Sequence, residues 1–457
     1  MRMVVAALLV LLAGCTPQQN GRTMPSVIPA PVSMVVQDGW RDLVEPTVRL
    51  GAELPAEGYR LEIDGAGIRI EAADEAGAFY AQQTLRQLVQ NGQVPFVSIE
   101  DHPRFGYRGA MLDVARHFFG VEDVKRYIDD IALLKINYLH LHLTDDQGWR
   151  IQIDSWPELT KAGATTEIGG RGGGSYTKEQ YREIVQYAAS RFITVVPELD
   201  MPGHTNAASV AYPELSEIPV QPYEGIEVGF SSLAIRSERT YDFVDDVVRE
   251  VAALTPGPYL HLGGDESLST TDEDFRYFIA RATAIAARYG KTLIGWHEMG
   301  RSAELPAGTV GQYWSFTSPQ EGAAEHTLSF VQQGGAVIMS PADRAYLDQK
   351  YDALTELGLS WAGPTSIAES YEWEPSAIVP GIGEEQLLGV EAPMWTETLA
   401  DIQDVEYMAF PRLASIAEIA WSPAGPRDFA EFEPRLDRFV ELLDELEVKH
   451  YLGFGKG

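Results

Sequence analysis

Two adjacent carboxylates, Asp265 and Glu266, are the strongest indication of chemistry in this sequence. They follow a short apolar run and two glycines in the stretch His261-Leu-Gly-Gly-Asp-Glu-Ser267. Two carboxyl groups this close cannot both ionise cheaply, so the pKa of one tends to rise and leaves a proton available near neutral pH. A strand that ends in a solvated acidic turn would give the same pattern. The rest of the chain must decide between these interpretations.

Eight short apolar runs after Arg104 predict the strands that position such a site. Four of the intervening stretches have helical periodicity: Val121–Lys135, Lys178–Ser190, Glu238–Leu254 and Asp272–Tyr289. Parallel strands that alternate with helices are typical of a (β/α)8 TIM-type barrel, so we expect an α/β fold of this kind. The sixth and seventh strands have the weakest pattern. The expected strands are Tyr107–Asp113, Asn137–Leu143, Ile193–Leu199, Tyr259–Leu262, Thr292–Trp296, Thr309–Tyr313, Ala336–Met339 and Gly389–Glu391.

Polar and aromatic residues concentrate just after these expected strands. Barrel active sites are built at the carboxyl ends of the strands, and charged residues are rarely buried without partners. We therefore expect one site at that end of the barrel. Its candidates, in chain order, are Asp113, Arg116, His142, Asp145, Asp146, Glu198, Asp200, His204, Asp265, Glu266, Trp296, Glu298, Trp314, Tyr346, Asp348, Trp395 and Glu397.

Hydrolysis of a glycosidic bond is a reaction that these candidate residues could catalyse. The reaction needs a proton donor at the leaving oxygen, negative charge near the developing oxocarbenium ion, and a shaped cavity for the sugar. Glu266 and Asp265 could supply the donor and the charge. Neighbouring strand residues point to opposite faces, so both serve one site only if the strand ends or bulges first, which Gly263-Gly264 permits. Walls and hydroxyl ligands could come from Trp296, Trp314, Trp395, Arg116, Asp348 and Glu397.

Two histidines support a different enzyme hypothesis. Alternation along a strand places His140 and His142 on one face, and with His204, His261 and Asp265 they could bind zinc in a barrel metallo-hydrolase. The Asp-Glu pair has no need of a metal, however, and a tryptophan pocket suits a sugar. We therefore predict no metal and no cofactor.

A second alternative comes from another class of protein, a surface lectin that keeps a sugar pocket without turnover. Loss of the proton donor would be its mark, and Glu266 is present. Simpler roles also remain open for individual candidates. Asp113 and Glu198 could only hold strand ends together, Glu298 could support the site from behind, and the local or structural residues would then be His117, His297, Trp149 and Trp156.

The charge balance limits the partners. The chain of 457 residues has 67 acidic and 35 basic residues, a formal charge of −32. This balance argues against binding to nucleic acid or to an anionic membrane surface. Any membrane association is therefore expected through a lipid anchor alone.

The first 15 residues resemble a bacterial lipoprotein signal. Arg2 precedes an apolar stretch that ends in Leu12-Ala-Gly-Cys15, and this stretch is too short for a permanent bilayer span. Cys15 is the only cysteine, so an intrachain disulfide is excluded. We expect Cys15 to be lipidated in an exported protein that is tethered to a membrane and faces the periplasm or the cell surface. Ordinary secretory cleavage is the alternative.

The remaining chain divides into a tether and two domains. Residues 16–24 are polar, with proline and glycine, and predict the tether. Residues 25–103 predict a small α+β domain, with a hairpin around Asp64-Gly-Ala-Gly67 and a helix that begins at Glu75. Residues 104–457 predict the catalytic barrel, closed by helices at Val405–Trp421 and Asp428–Leu446.

Six ordered motifs resemble glycoside hydrolase family 20, the β-N-acetylhexosaminidases. The resemblance extends from Pro25 to near the C terminus and shows no departure at the catalytic positions. The motifs are Arg108-Gly-Ala-Met-Leu-Asp-Val-Ala-Arg-His-Phe118, His140-Leu-His-Leu-Thr-Asp-Asp-Gln-Gly-Trp149, Pro197-Glu-Leu-Asp-Met-Pro-Gly-His204, His261-Leu-Gly-Gly-Asp-Glu266, Tyr346-Leu-Asp348 and Met394-Trp-Thr-Glu397.

The resemblance implies a retaining, substrate-assisted mechanism on terminal β-linked N-acetylhexosamine, in which the substrate's 2-acetamido oxygen attacks the anomeric carbon. It implies that Glu266 is the general acid and then the base, while Asp265 orients the acetamido group and stabilises charge on its nitrogen. Tyr346 would bond the acetamido oxygen. The other implied roles are walls for Trp296, Trp314 and Trp395, hydroxyl ligands for Arg116, Asp348 and Glu397, and tuning of the acid for Asp145 and His204. The choice between gluco and galacto substrates stays open.

Overall fold

The computed structural model describes residues 23–320 and 322–453. The expected signal segment and the lipidation site Cys15 lie outside these residues. Within the described ranges, no helix is both long enough and apolar enough to cross a membrane.

The first elements of the described residues form a five-stranded sheet, and helix α1 (Glu75–Leu88) packs on it. The expected hairpin is β3 with β4, and its turn forms because the Asp64 carboxylate accepts hydrogen bonds from the amides of Ala66 and Gly67. Asp74 caps α1 through the amide of Gly77, at 2.8 Å. Across the sheet the order is β1-β5-β3-β4-β2, with β1 (Ser33–Asp42), β2 (Thr47–Leu50), β3 (Tyr59–Ile63), β4 (Ile68–Ala72) and β5 (Gln93–Asp101).

Eight parallel strands then close into a barrel, as the apolar runs predict. The first of them is buried along its whole length, which is typical of a strand covered on both faces. All eight expected strands are present, with ends that differ by no more than two residues. They are β6 (Tyr107–Asp113), β7 (Tyr138–His142), β8 (Thr194–Glu198), β9 (Tyr259–His261), β10 (Thr292–Trp296), β11 (Val310–Tyr313), β12 (Val337–Met339) and β13 (Leu387–Ala392).

Helices pack around the barrel, and the four expected between strands are present. The helices are α2 (Val121–Ala132), α3 (Glu158–Lys161), α4 (Lys178–Ala189), α5 (Asn206–Ala211), α6 (Glu238–Leu254), α7 (Asp272–Ala286), α8 (Ala323–Gln332), α9 (Ala342–Ala345), α10 (Ile367–Tyr371), α11 (Ile402–Ala409), α12 (Leu413–Trp421) and α13 (Phe429–Glu445).

The closing region corrects one expectation. The stretch expected as a helix at Val405–Trp421 is two helices, α11 and α12, because Pro411 has no amide hydrogen to donate to the preceding turn. Residues of α12 are all buried, so this helix is part of the core rather than a mixed-charge cover.

A buried polar contact joins the small domain to the barrel. The Lys135 ammonium, just after α2, donates to the Tyr59 hydroxyl and to the Asp101 carboxylate, each at 2.9 Å. The Trp421 indole at the end of α12 donates to the same carboxylate at 2.9 Å. Three parts of the chain therefore meet at Asp101.

Inside the barrel, the layers differ in character. The amino-terminal end is closed by an apolar cluster, and the next layer towards the carboxyl ends is polar. Its fully buried members include His140, Glu198, Gln312 and Glu391. The apolar cluster consists of Tyr107, Val196, Ile294, Val310 and Ile338.

Candidate active site

The turn after β9 brings both carboxylates to one place. The strand ends at His261, and the backbone then has positive φ at Gly263 (65°), Gly264 (97°) and Glu266 (41°). Asp200, at the end of the neighbouring strand β8, accepts the Gly264 amide at 3.1 Å. This left-handed turn ends the strand alternation, so Asp265 and Glu266 both face the same cavity.

That cavity lies at the carboxyl ends of the barrel strands and encloses about 450 Å³. Seven of its lining residues are sequence candidates, and five others escaped prediction. The candidates are Arg116, Asp265, Glu266, Trp314, Tyr346, Trp395 and Glu397; the others are Ile226, Val228, Phe316, Leu359 and Trp361.

The Glu266 carboxyl has the electrostatic environment of a proton donor. Burial and the neighbouring Asp265 carboxylate raise its pKa to about 7, while His204 and Arg116 act in the opposite direction. The Nε2 atom of His204 lies 3.6 Å from the nearest oxygen of both carboxylates. Glu266 therefore retains a proton near neutral pH, as expected for one member of the pair.

Asp145 holds the cationic side of the site. Its Oδ2 lies 2.9 Å from Arg116 Nη2 and 2.8 Å from His142 Nε2, and its Oδ1 lies 3.2 Å from His204 Nδ1. Burial alone would raise the pKa of Asp145, but Arg116 and the two histidines hold it well below its ordinary value. Asp145 is thus an anion behind the cavity wall. It orients the Arg116 and His204 side chains, which both face Glu266.

Three tryptophans and a tyrosine form the aromatic side of the site. Trp296 and Trp395 pack at 5.9 Å between ring centroids, and Tyr346 lies 6.4 Å from Trp395. The Trp314 indole donates to Glu298 Oε2 at 2.9 Å. Glu298 therefore fixes a wall residue from behind, which was one of its two expected roles.

Two further carboxylates, Asp348 and Glu397, follow the last two barrel strands, β12 and β13. Asp348 accepts from the Gln349 side chain at 2.8 Å, whereas its Oδ1 is buried and has no hydrogen-bond partner. Glu397 Oε2 is also buried without a partner. Burial raises the pKa of both carboxyls, to about 8 for Asp348, where Glu397 adds to the effect. Unpaired oxygens of this kind are ready to bond a ligand's hydroxyls.

Of the eleven residues with an implied catalytic or binding role, four are not among those that line the cavity. Asp145, His204 and Asp348 are buried next to it, and Trp296 packs beneath Trp395. Of the residues that sequence reasoning missed, Trp361 is the most informative, because it is about half exposed and its ring meets those of Trp314 and Tyr346 near 6 Å. In the sequence, Trp361 was marked only by being aromatic and by lying in the long loop that precedes α10.

Several candidates take the simpler roles. Asp113 accepts the amides of Ala115 and Arg116, so it shapes the end of β6. Trp149 and Trp156 are buried against Phe243, so both have a structural role. The other local roles belong to His117, which pairs with the Thr396 carbonyl oxygen, and Asp146, which accepts from Ser231.

Some donors of the zinc hypothesis have other partners, whereas the Nε2 atoms of His204 and His261 are buried without a hydrogen-bond partner. His140 Nδ1 lies 2.8 Å from Glu391, and both ring nitrogens of His142 contact carboxylates. His261 Nδ1 accepts the Gly263 amide at 2.9 Å, and Glu198, the carboxylate nearest these rings, accepts the Trp296 indole. His140, Glu198 and His261 offer ligand atoms that lie within 4.8 Å of one another, so the expected absence of a metal stays a prediction.

Comparisons with known proteins agree with this geometry. The chain matches the model "Glycosyl hydrolase family 20, catalytic domain" over residues 105–270 and 267–424, and "Glycosyl hydrolase family 20, domain 2" over residues 40–102. It is 46% identical to a β-N-acetylhexosaminidase of Cellulomonas fimi, over 87% of this chain and 81% of that protein.

Solved structures show the same similarity. One, described as a glycoside hydrolase family 20 β-N-acetylglucosaminidase, has 48% sequence identity and a TM-score of 0.91, and covers 94% of this chain and 99% of the other. A Streptomyces plicatus β-hexosaminidase variant in complex with product (GlcNAc) has 43% identity and a TM-score of 0.91, over 95% and 98% of the two chains.

Proposed function

Because the chain belongs to glycosyl hydrolase family 20 and is a β-N-acetylhexosaminidase of that family, we propose that Glu266 and Asp265 divide its reaction between them. Glu266 transfers the proton, and Asp265 serves the substrate's acetamido group. The observation that carries this division is the left-handed turn, which presents both carboxylates to one aromatic cavity. The substrate is a terminal, non-reducing, β-linked GlcNAc or GalNAc.

In the first step Glu266 acts as the general acid. With its pKa near 7 it is largely protonated in mildly acidic solution, and it donates this proton to the glycosidic oxygen as the bond to the anomeric carbon breaks. The acetamido oxygen of the same sugar forms the new bond to the anomeric carbon. The leaving group departs as a neutral alcohol, and a cyclic oxazolinium remains in the pocket.

Asp265 stabilises that intermediate. Its Oδ1 is buried and has no hydrogen-bond partner, so it is available to accept the acetamido N–H, where positive charge develops. Burial and the Asp348 carboxylate raise the pKa of Tyr346 well above its ordinary value, which keeps the phenol protonated as a donor to the acetamido oxygen. Together these two residues align the oxygen for attack.

In the second step Glu266, now a carboxylate, takes a proton from water as the water oxygen attacks the anomeric carbon. The bond from the acetamido oxygen breaks, the N-acetyl group is restored, and Glu266 is protonated again. Two displacements at one carbon give a product with the original β configuration. No atom of the protein becomes covalently bound to the sugar.

The surrounding residues define the pocket. The partnerless oxygens of Asp348 and Glu397, with the Arg116 guanidinium, are suited to the ring hydroxyls. Trp314 and Trp395 form the walls, and Trp296 supports Trp395. Trp361, at the exposed mouth, is placed to contact the sugar or other group that leaves.

A comparison of three nitrophenyl glycosides tests this function. We expect hydrolysis of the N-acetyl-β-glucosaminide, the N-acetyl-β-galactosaminide or both, with product of retained configuration by NMR, and no hydrolysis of the plain β-glucoside. Equal rates on the plain glucoside would overturn the mechanism. The same assay after extensive dialysis against a chelator addresses the zinc alternative, for which activity would be lost and restored by zinc.

We also propose that Cys15 anchors the enzyme to a membrane on the exported side. The support is the sequence Leu12-Ala-Gly-Cys15 after a short apolar stretch. Expression of the full chain and of Cys15→Ser, followed by fractionation, is the test. We expect the activity of the parent in the membrane fraction and that of Cys15→Ser in the soluble one. Identical distributions would refute the anchor.

A further inference from the structure

A fully buried carboxylate lies beneath the pocket, and the reaction above gives it no role. Glu198, the last residue of β8, accepts the Trp296 indole N–H at 2.9 Å through Oε1. Its Oε2 lies 2.5 Å from Nδ1 of His142. His261 is also nearby. Its Nδ1 accepts a hydrogen bond from the Gly263 amide, so this nitrogen carries no hydrogen to donate to Glu198. Nε2 of His140 lies 3.1 Å from the same Oε2. One carboxylate thus links the tryptophan that supports the pocket wall with two histidines.

His142 passes this link towards the catalytic residues. Its Nδ1 faces Glu198 and its Nε2 faces Asp145 at 2.8 Å, so both ring nitrogens donate and the ring is a cation. Burial opposes this charge, but Glu198 and Asp145 outweigh it and raise the pKa of His142 well above its ordinary value.

The chain of contacts continues to the acid. Asp145 Oδ1 lies 3.2 Å from Nδ1 of His204, and Nε2 of His204 lies 3.6 Å from Glu266 Oε2. From Glu198 to His204, anions and cations therefore alternate through hydrogen bonds between buried side chains, and His204 then faces the Glu266 carboxyl. Removal of the Glu198 charge would therefore change the hydrogen bonds that orient His142, Asp145 and His204.

We propose that Glu198 is a positioning residue for the proton-transfer step, which it serves by holding Trp296 directly and Glu266 through His142, Asp145 and His204. It does not touch the substrate. The proposal rests on the function proposed for Glu266 and extends it through the barrel interior. A purely structural carboxylate would stabilise the fold without any selective effect on protonation of the leaving group.

Glu198→Gln is the sharpest variant, because it keeps the shape and changes the hydrogen bonding. The amide has one oxygen, so it cannot accept both the Trp296 N–H and the His142 N–H. If the oxygen stays with Trp296, the NH₂ faces His142, which must lose its Nδ1 proton and its charge. In either orientation the amide is neutral, so the negative charge that begins the chain of contacts to Glu266 is lost.

The test uses two aryl N-acetyl-β-glucosaminides, with phenyl and 2,4-dinitrophenyl leaving groups. Phenolate is a poor leaving group and needs the proton, whereas dinitrophenolate departs without it. For Glu198→Gln we expect kcat/KM on the phenyl glycoside to fall roughly 10-fold or more, with a much smaller loss on the dinitrophenyl glycoside. Equal losses on both substrates, or none, would overturn the proposal.

Glu418→Gln is the matched control. Glu418 is also a buried carboxylate, but it accepts from Tyr371 and Arg435, and these contacts lead away from Glu198 and Asp145. We expect its losses, if any, to be equal on the two substrates. If Glu198→Gln does not fold, His142→Gln interrupts the same chain while leaving Glu198 with Trp296, and the same selective loss is expected.

Glu266→Gln separates this proposal from the assignment of the acid. A selective loss on the phenyl glycoside in Glu266→Gln, together with equal losses in Glu198→Gln and His142→Gln, would refute the role of Glu198 alone. Absence of a selective loss in Glu266→Gln itself would refute the acid assignment first.

Discussion

Asp265 and Glu266 are neighbours in sequence, but their environments give them different tasks. Glu266 is partly exposed at the cavity and its raised pKa keeps a proton there, whereas Asp265 has a buried oxygen with no partner. A pair that first suggests two interchangeable acids is therefore a donor beside an acceptor. The raised pKa of Glu266 comes chiefly from burial and from the neighbouring Asp265 carboxylate.

Replacement of the proposed acid is the first prediction at this scale. Glu266→Gln keeps the size of the side chain but cannot donate an acidic proton, so kcat should fall by about 10²- to 10⁴-fold on substrates with poor leaving groups. Binding of the product GlcNAc, measured by calorimetry, should change little. A near-parental kcat would remove Glu266 from the mechanism.

The pH dependence follows from the same residue. The first step needs protonated Glu266, and the pKa of about 7 means that this form is present below pH 7 and is lost above it. We expect kcat/KM to decline on the alkaline side with an apparent pKa near 7. The alkaline decline should be absent from the residual activity of Glu266→Gln. A flat profile up to pH 9 would contradict the raised pKa.

At the scale of elements, the turn after β9 is the feature that makes the site. A Cβ atom on Gly263 would lie 1.7 Å from Asp200 Oδ1, and its φ of 65° already disfavours a side chain. Gly263→Ala should therefore displace Asp200 and the carboxylate pair, and lower both kcat and the midpoint of urea denaturation.

Gly290→Ala is the control for that variant. Gly290 has a similar φ of 72°, but a Cβ there meets nothing within 4 Å, so only the backbone strain of about 1 kcal/mol applies. Its kcat should equal that of the parent. Similar kcat values for the two alanine variants would show that the turn does not need the close approach of Asp200.

Elements were predictable from sequence where the signal is local. The barrel strands are short apolar runs, and the residues that follow them share the motifs of one family, so both the barrel and the Asp-Glu pair could be predicted. Strands β1 and β2 could not, because they are largely exposed and have no clear alternation of apolar and polar residues. Trp361 and the contact between Asp200 and Gly264 depend on long-range packing, which no local pattern reveals.

At the scale of the whole molecule, the two domains share a buried ion pair. Lys135 and Asp101 are both fully buried, 2.9 Å apart, and Asp101 also accepts the Trp421 indole. Lys135→Met would leave Asp101 without its cation in a site closed to water. We expect a loss of about 3–5 kcal/mol in the free energy of unfolding, measured by urea denaturation.

An exposed lysine provides the comparison. Lys161 pairs with Glu158 at the surface, where solvent screens the interaction, so Lys161→Met should leave the denaturation midpoint unchanged. Equal stability of Lys135→Met and the parent would mean that the interface does not depend on this pair. In that case apolar packing around Trp421 would hold the domains together.

The central claim is that the substrate's own acetamido oxygen attacks the anomeric carbon while Asp265 and Glu266 assist. A series of aryl β-glucosaminides with N-acetyl, N-fluoroacetyl, N-difluoroacetyl and N-trifluoroacetyl groups tests it most directly, because each fluorine makes that oxygen a weaker nucleophile. The account predicts that kcat/KM falls steeply and continuously along the series. A kcat/KM that does not change with fluorination would contradict it and would require a nucleophile from the protein.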